Sequence, residues 1–410
     1  MQYVIIGNST AAIGCVEGIR SVDAEGRIVL LSREPHHTYG RPLISYLLCG
    51  RTDEQRMKYR PDGFYSDNGV EFHPGVTVTA IDAQDKCVVC EGGETFPYDR
   101  LLVATGSDPI VPPVPGLTDV PECFTFMSLD DARALQASLT PEKRVLIVGA
   151  GLIGLKCMEG IYGQCASITL VDRAPQILPS ILDESAARRV QAYIEGKGVQ
   201  FILGDSAASF EPRCAVLESG RRVEFDILVM AVGVRPNTAL VKSIGGACER
   251  GLLVDEHMQT SVADVYAAGD CVQSDDITSG ANRVLAILPN AYRQGHVAGQ
   301  CMAGADARFG EAFPQNSIGF FDLHTVTAGA YTGECIEFDT PDTLKKLFVQ
   351  DGLLKGYMII GDVRRAGIYT ALIREQTPLS EIDFDLIADK PQLMAFAYTE
   401  RKKKLGGVPK

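Results

Sequence analysis

Six residues, Gly149-Ala150-Gly151-Leu152-Ile153-Gly154, form the most specific chemical pattern in this chain. In a G-x-G-x-x-G turn the first glycine allows the tight bend, the second lets backbone approach a pyrophosphate, and the third lets helix and strand pack closely. The phosphate then rests on a helix N-terminus, where unpaired N–H groups and the dipole favour negative charge. A carboxylate about 20 residues further on completes the pattern, and Asp172 stands there, after Ile168-Thr169-Leu170-Val171. It can accept from a ribose 2′-OH and repels a 2′-phosphate, so NAD is favoured over NADP; Arg173 alongside weakens that preference. A second turn is degenerate, with Gly7, Ser9 and Ala12 at the three glycine positions and Glu34 as the matching acid. Serine and alanine are the smallest substitutes, so backbone approach remains open. The alternative is an ordinary βαβ unit with a small-residue turn.

The elements that must position these turns are legible around them. Tyr3-Val4-Ile5-Ile6 reads as a strand, the stretch to about Arg20 as a helix, and Arg27–Leu31 as the next strand. Arg144–Val148 and Ser167–Val171 repeat the arrangement around the complete turn. Proline-rich Ile110-Val111-Pro112-Pro113-Val114-Pro115-Gly116 reads as a stiff crossover between domains. A second junction is expected near Glu249–Leu253, with a strand-like stretch opening at Arg250-Gly251. From about Asn316, three β-like runs (Ser317–Phe321, Leu344–Val349, Gly356–Ile360) and two helical stretches suggest an α+β module. The tail, Arg401-Lys402-Lys403-Lys404 with Gly406-Gly407, reads as a frayed, solvated end.

Composition narrows the class. The 410 residues are 46% hydrophobic and 22% charged, which excludes global disorder. Lys and Arg number 39 against 52 Asp and Glu, a net charge of −13 that repels phosphate backbones and disfavours nucleic acid as a partner. No apolar run approaches the ~18 residues of a spanning helix. Tryptophan is absent, and twelve cysteines at irregular spacing are too sparse for a disulfide scaffold. The opening MQYVIIGNST lacks a basic n-region, so no secretory signal is expected, and reduced thiols in the cytoplasm are the simplest reading.

Three further stretches resemble the two-dinucleotide flavoproteins, the pyridine-nucleotide-dependent disulfide-reductase-like oxidoreductases. Tyr98–Gly106 resembles that family's strand ending in Ala-Thr-Gly, Phe225–Asn237 its return from the NAD domain, and Asp264–Asp270 its second FAD motif. With the two turns, these five motifs cover roughly residues 1–300 in order. The resemblance implies an α/β fold: two Rossmann-like three-layer dinucleotide-binding domains, for FAD and NAD, with a small C-terminal α+β domain. FAD would lie across 1–112 and 253–315, the NAD domain would be 113–252, and 316–410 would form an interface or partner domain. It further implies that Gly7, Ser9 and Ala12 form the FAD-binding turn, that Glu34 meets the adenosine ribose and that Arg41 meets the pyrophosphate region. Ala104, Thr105 and Gly106 would approach the cofactor, and Asp270 the ribityl hydroxyls. A helix opening near Asn290-Ala291 would aim at the flavin. Gly149, Gly151, Ile153, Gly154, Asp172 and Gly233 would bind NAD, and Glu159 matches a glutamate close to the nicotinamide; its bland alternative is a helix-surface acid.

Within that family, Glu34–Tyr46 resembles NADH:rubredoxin reductases, the flavin portion of nitrite reductases, and FAD-NAD subunits of iron–sulfur or tungsten oxidoreductase complexes. Tyr46 stands where ferredoxin-reductase relatives typically carry a lysine. The paired cysteines of disulfide reductases are missing, since Cys49 is alone in that region. Ile44–Gly50 does resemble the cysteine stretch of NADH oxidases, peroxidases and coenzyme A disulfide reductases, so Cys49 is either a redox thiol or a small helix residue. Cys87-Val88-Val89-Cys90 has CxxC spacing, but a strand would point its thiols to opposite faces, and His36-His37 read as loop residues. No metal site is expected. The leading expectation is an FAD-dependent NADH:acceptor oxidoreductase passing electrons to an iron–sulfur protein or redox subunit. The alternatives are an oxidase or peroxidase using Cys49, and an FAD-bearing, NADH-sensing scaffold. The apolar end Pro391–Tyr398 and the basic residues Arg364, Arg365 and 401–404 are candidates for contact with a partner in a homo- or hetero-oligomer.

Overall fold

Gln2–Ile6 and Arg27–Ser32 are apolar almost throughout, as parallel strands covered on both faces must be. A computed structural model, which describes residues 1–396 and 401, pairs them in parallel from Gln2↔Arg27 to Ile6↔Leu31. They are the centre of a five-stranded parallel sheet in the order Val265–Ala267, Arg100–Val103, Gln2–Ile6, Arg27–Ser32, Val70–Pro74. A second five-stranded parallel sheet runs Gln200–Leu203, Ser167–Asp172, Arg144–Val148, Ile227–Met230, Cys123–Phe124. Each carries a three-stranded antiparallel sheet as a satellite in sequence, over Val78–Pro97 and Ala207–Glu224. The outgoing Ser107–Pro109 and the returning Val234–Pro236 pair antiparallel, so the two crossovers run side by side.

The two turns begin alike. Gly7 N–H donates to Leu31 O and Gly149 N–H to Val171 O, both at 2.8 Å, and both glycines have φ +114°. A Cβ on either would lie 2.2 Å from a neighbouring carbonyl oxygen, that of Ala104 or Ala231, so neither position admits a side chain. Each turn leads into a helix, Thr10–Arg20 or Leu152–Ile161. The first helix packs closely on Leu288–Met302, because Gly14 and Gly295 each face the backbone of the other helix.

These elements belong to one compact unit of Met1–Ser180, Gln191–Ser274 and Asn282–Gly310; the other comprises Ile181–Val190, Asp275–Ala281 and the chain from Glu311 onward. The second unit is built on a five-stranded antiparallel sheet in the order Gln315–Phe320, Leu323–Gly329, Leu353–Ile360, Leu344–Gln350, Glu334–Asp339. Two of these strands, Leu323–Gly329 and Glu334–Asp339, escape the sequence reading. The latter is an edge strand with no fully buried residue; its apolar alternation is confined to Ile336 and Phe338, which pack half-buried against the core. The helices Ala366–Glu375 and Phe384–Asp389 follow as expected. The strand expected at Arg250-Gly251 is replaced by isolated bridges, Cys248↔Leu252 and Leu252↔Val272. Residues 397–400 and 402–410, including Tyr398 and Lys402–Lys404, lie outside the described residues.

Candidate functional site

A cavity of about 890 Å³ opens at the C-terminal ends of the first sheet. Gly7, Ser9, Glu34, Arg41, Ala104, Thr105, Gly106, Asp270 and Ala291 all line it; Ala12 and Asn290 are buried behind the lining. Glu34 is held on both oxygens, by Arg41 Nη2 at 2.6 Å and Tyr39 O–H at 2.6 Å. Burial alone would raise its pKa, but the Arg41 charge and the two hydrogen bonds outweigh that and hold it low. Arg41 also donates to Met127 O, and Tyr39 OH accepts from Leu129 N–H, each at 3.0 Å. The helix Leu129–Ser138, from the part expected to serve NAD, thus reaches the cavity; its Asp130 accepts from His36 Nε2 at 2.9 Å. Thr105 and Asn237 exchange hydrogen bonds across the crossover pair.

Asp270 is the exception in this ordered lining. No described residue donates to its carboxylate, and burial raises its pKa, with the Arg41 charge pulling only partly back. Half-buried on the cavity wall, it is free to accept from a ligand that brings its own donors.

Helix ends tell the same story. Three helices start at the expected sites, Thr10–Arg20, Leu152–Ile161 and Leu288–Met302, and none has a side-chain cap. Leu129–Ser138, by contrast, has a complete capping box from Ser128 and Asp131. Uncapped first-turn N–H groups are the donors that a phosphate or flavin edge takes up.

Around the second turn, a Cβ on Gly151 would meet nothing within 4 Å, whereas one on Gly154 would lie 2.0 Å from Gly149 O. The open cradle is where the pattern requires pyrophosphate to sit, and the tight one is where helix meets turn. Ile153 is half-buried in the first helical turn, and Gly233, at φ +120°, follows the strand Ile227–Met230, where a Cβ would lie 3.9 Å from Ile110 Cδ1. Asp172 stands at the end of its strand as expected. Its two oxygens already accept from Ala150 N–H at 2.6 Å and Ala174 N–H at 2.8 Å. Arg173 is exposed, with no ion-pair partner among the described residues.

Glu159 is no surface acid: its side chain is 2% exposed. It pairs with Lys156 and, at 3.4 Å, with Arg51, while the Lys156 ammonium sits 4.6 Å from the centre of the Tyr46 ring. The surface reading fails because helix Leu152–Ile161 packs this face on Ile44–Leu48, where Ser45 O lies 3.0 Å from a Cβ built on Gly160. Cys49 ends the helix Ile44–Leu48, half-buried, its thiol directed at Tyr46 O at 3.5 Å, and does not line the cavity. Cys87 and Cys90 lie in one strand, and burial raises both thiol pKa values. Among the described residues no cluster of His, Cys, Asp and Glu could hold a metal, and no helix is long and apolar enough to cross a membrane.

Sequence reasoning missed Tyr39, His36 with Asp130, and the Arg51–Glu159–Lys156 group. The Ser128-x-x-Asp131 capping box and the i,i+3 pair Lys156–Glu159 carried a local signal, whereas Arg51–Glu159 and His36–Asp130 join residues 108 and 94 apart.

An uncapped helix end beside a donorless carboxylate and a second glycine cradle fit two dinucleotides. The sequence matches the family described as pyridine nucleotide-disulphide oxidoreductase over residues 1–295. It is 31% identical over 401 residues to the NADH-dependent phenylglyoxylate dehydrogenase subunit epsilon of Aromatoleum evansii, covering 95% of both chains. It is 29% identical over 310 residues to rubredoxin-NAD(+) reductase of Pseudomonas putida, 74% of this chain and 80% of that one. The fold superposes on putidaredoxin reductase in its covalent complex with putidaredoxin with a TM-score of 0.86 at 22% identity, over 99% of each chain. The chain belongs to the pyridine nucleotide-disulphide oxidoreductase family, and within it is an FAD-dependent oxidoreductase of NAD(H).

Proposed function

We propose that this protein passes electrons between NAD(H) and an iron–sulfur protein or partner redox subunit. FAD would occupy residues 1–112 and 253–315, NAD(H) the inserted 113–252, and 316–410 would meet the partner. Bound FAD supplies hydride exchange with nicotinamide and release of electrons singly to an acceptor. The chain's own part is to bind, orient and exclude water. The uncapped helix at Thr10 takes the FAD pyrophosphate over Gly7 and Ser9, Arg41 compensates its charge, and Asp270 receives the ribityl hydroxyls. The turn Gly149–Gly154 holds the second nucleotide, with Asp172 at its ribose. The observation that carries this reading is Asp270, a half-buried carboxylate lining the cavity with no donor among the described residues. The similarity over nearly the whole chain to a subunit of an NADH-dependent dehydrogenase supports a role as the nucleotide-facing member of a redox complex. All twelve cysteines are unpaired thiols, which agrees with a cytoplasmic site of action.

Anaerobic stopped-flow reduction by NADH, followed at the flavin bands, tests the proposal. Fast bleaching, slow reoxidation by O₂ or peroxide, and brisk reduction of a one-electron dye support it. Peroxide turnover that disappears in Cys49→Ser overturns it in favour of thiol chemistry, and bleaching over minutes overturns it in favour of a sensing scaffold.

A further inference from the structure

Leu178 has a left-handed backbone, φ +50°, although it is neither glycine nor asparagine and its side chain is fully buried. Such a conformation is unfavourable for a side-chain-bearing residue and persists only where the surroundings enforce it. Here it directs the Leu178 N–H onto Ala150 O at 3.0 Å. The other polar group of Ala150, its N–H, donates to Asp172 Oδ2 at 2.6 Å. Asp172 is itself fixed by Ala174 N–H at 2.8 Å. Both polar groups of the residue between the two glycines are therefore gripped from outside the turn.

In a trans peptide the C=O and the following N–H point in opposite directions. With Ala150 O tied to Leu178, the N–H of Gly151 faces the other way, on the helix end whose cradle stands open. The first turn has a different restraint. Asn8, at the position of Ala150, is held through its side chain, by Tyr65 O–H at 2.9 Å and to His36 O at 3.1 Å. Its acid, Glu34, is occupied by Arg41 and Tyr39.

We infer that Leu178 and Asp172 are positioning residues of the second turn, a two-sided clamp on Ala150 that presets the peptide for a nucleotide pyrophosphate. This rests on the reading of Gly149–Gly154 as the NAD site. The clamp uses the Leu178 backbone and not its side chain, and this separates it from mere packing. Leu178→Gly keeps the N–H and accepts a left-handed φ, but deletes a buried side chain. Leu178→Val keeps apolar bulk, but β-branching resists that backbone.

The experiment is calorimetric titration of the FAD-loaded protein with NAD⁺, together with KM and kcat for NADH and the Tm of each variant. The clamp predicts that Leu178→Val weakens NAD⁺ binding and raises KM by about fivefold or more at nearly unchanged kcat. Leu178→Gly should lower Tm yet hold Kd within about twofold. Unchanged Kd in Leu178→Val overturns the inference, as does a loss of affinity in both variants that follows their loss of Tm. Gly151→Val, which fills the cradle, is the control. If it leaves NAD⁺ binding intact, the turn is not the nucleotide site and the underlying reading fails first.

Discussion

Arg41 Nη2 lies 2.6 Å from Glu34 Oε1, so two residues expected to meet neighbouring parts of one cofactor, its adenosine ribose and its pyrophosphate, are paired in the cavity wall. The pair orders the wall before any ligand arrives. A carboxylate with a depressed folded pKa contributes stability that is complete above its unfolded value, ~4.3, and is lost as pH falls through the folded one. Glu34→Gln should cost about 1–3 kcal/mol at pH 7 and flatten the acid limb of the stability profile below that range. Urea unfolding between pH 3 and 7 checks both.

Asp270 has the opposite sign. Its raised pKa means that ionisation opposes folding, increasingly as pH rises from the unfolded value of ~3.9 toward the folded one. Asp270→Asn should therefore raise the Tm of the FAD-free protein at pH 7 and leave it unchanged near pH 3. The same change removes a charged acceptor and should weaken FAD binding by about tenfold or more, as flavin fluorescence titration would reveal. A variant that loses stability without FAD contradicts this account.

Close approach of two helices sets where both their N-termini lie. A Cβ on Gly295 would stand 1.9 Å from Ala11 O, in backbone that cannot yield as a side chain does. Gly295→Ala should cost about 1–3 kcal/mol through overpacking and lower FAD occupancy after purification. The absorbance ratio of flavin to protein, set beside Tm, measures both.

Nucleotide choice rests on Asp172 and its neighbour Arg173. Asp172→Asn keeps an oxygen for Ala150 N–H while removing the charge that repels a 2′-phosphate. With Arg173 exposed and unengaged, the NADH-over-NADPH ratio of kcat/KM should fall by about tenfold. Asp172→Ala, lacking the acceptor, should weaken both nucleotides instead. Steady-state kinetics with each coenzyme separates the two outcomes.

Much of this fold was readable because its signals are local. A glycine turn, its preceding strand and its acid sit within one short stretch, as Gly149 and Asp172 do, and the structure places them together. Glu159 shows where locality ends: its burial depends on Arg51 and on a helix packing in from another part of the chain. Leu178 shows a different limit, since nothing in Gln176-Ile177-Leu178-Pro179 announces a left-handed backbone that glycine would ordinarily mark. The edge strand Glu334–Asp339 was missed because its core face amounts to two half-buried residues, Ile336 and Phe338, between acids.

Three uncapped helix ends have a meaning for the life of the protein in the cell. Groups left unsatisfied until a ligand binds make the ligand a partner in folding, and stability then rises with the logarithm of its free concentration. Newly made chains short of flavin would populate opened forms more often and meet proteases more often. The amount of this protein should therefore follow riboflavin supply even at constant synthesis, which makes vitamin status a control on its abundance.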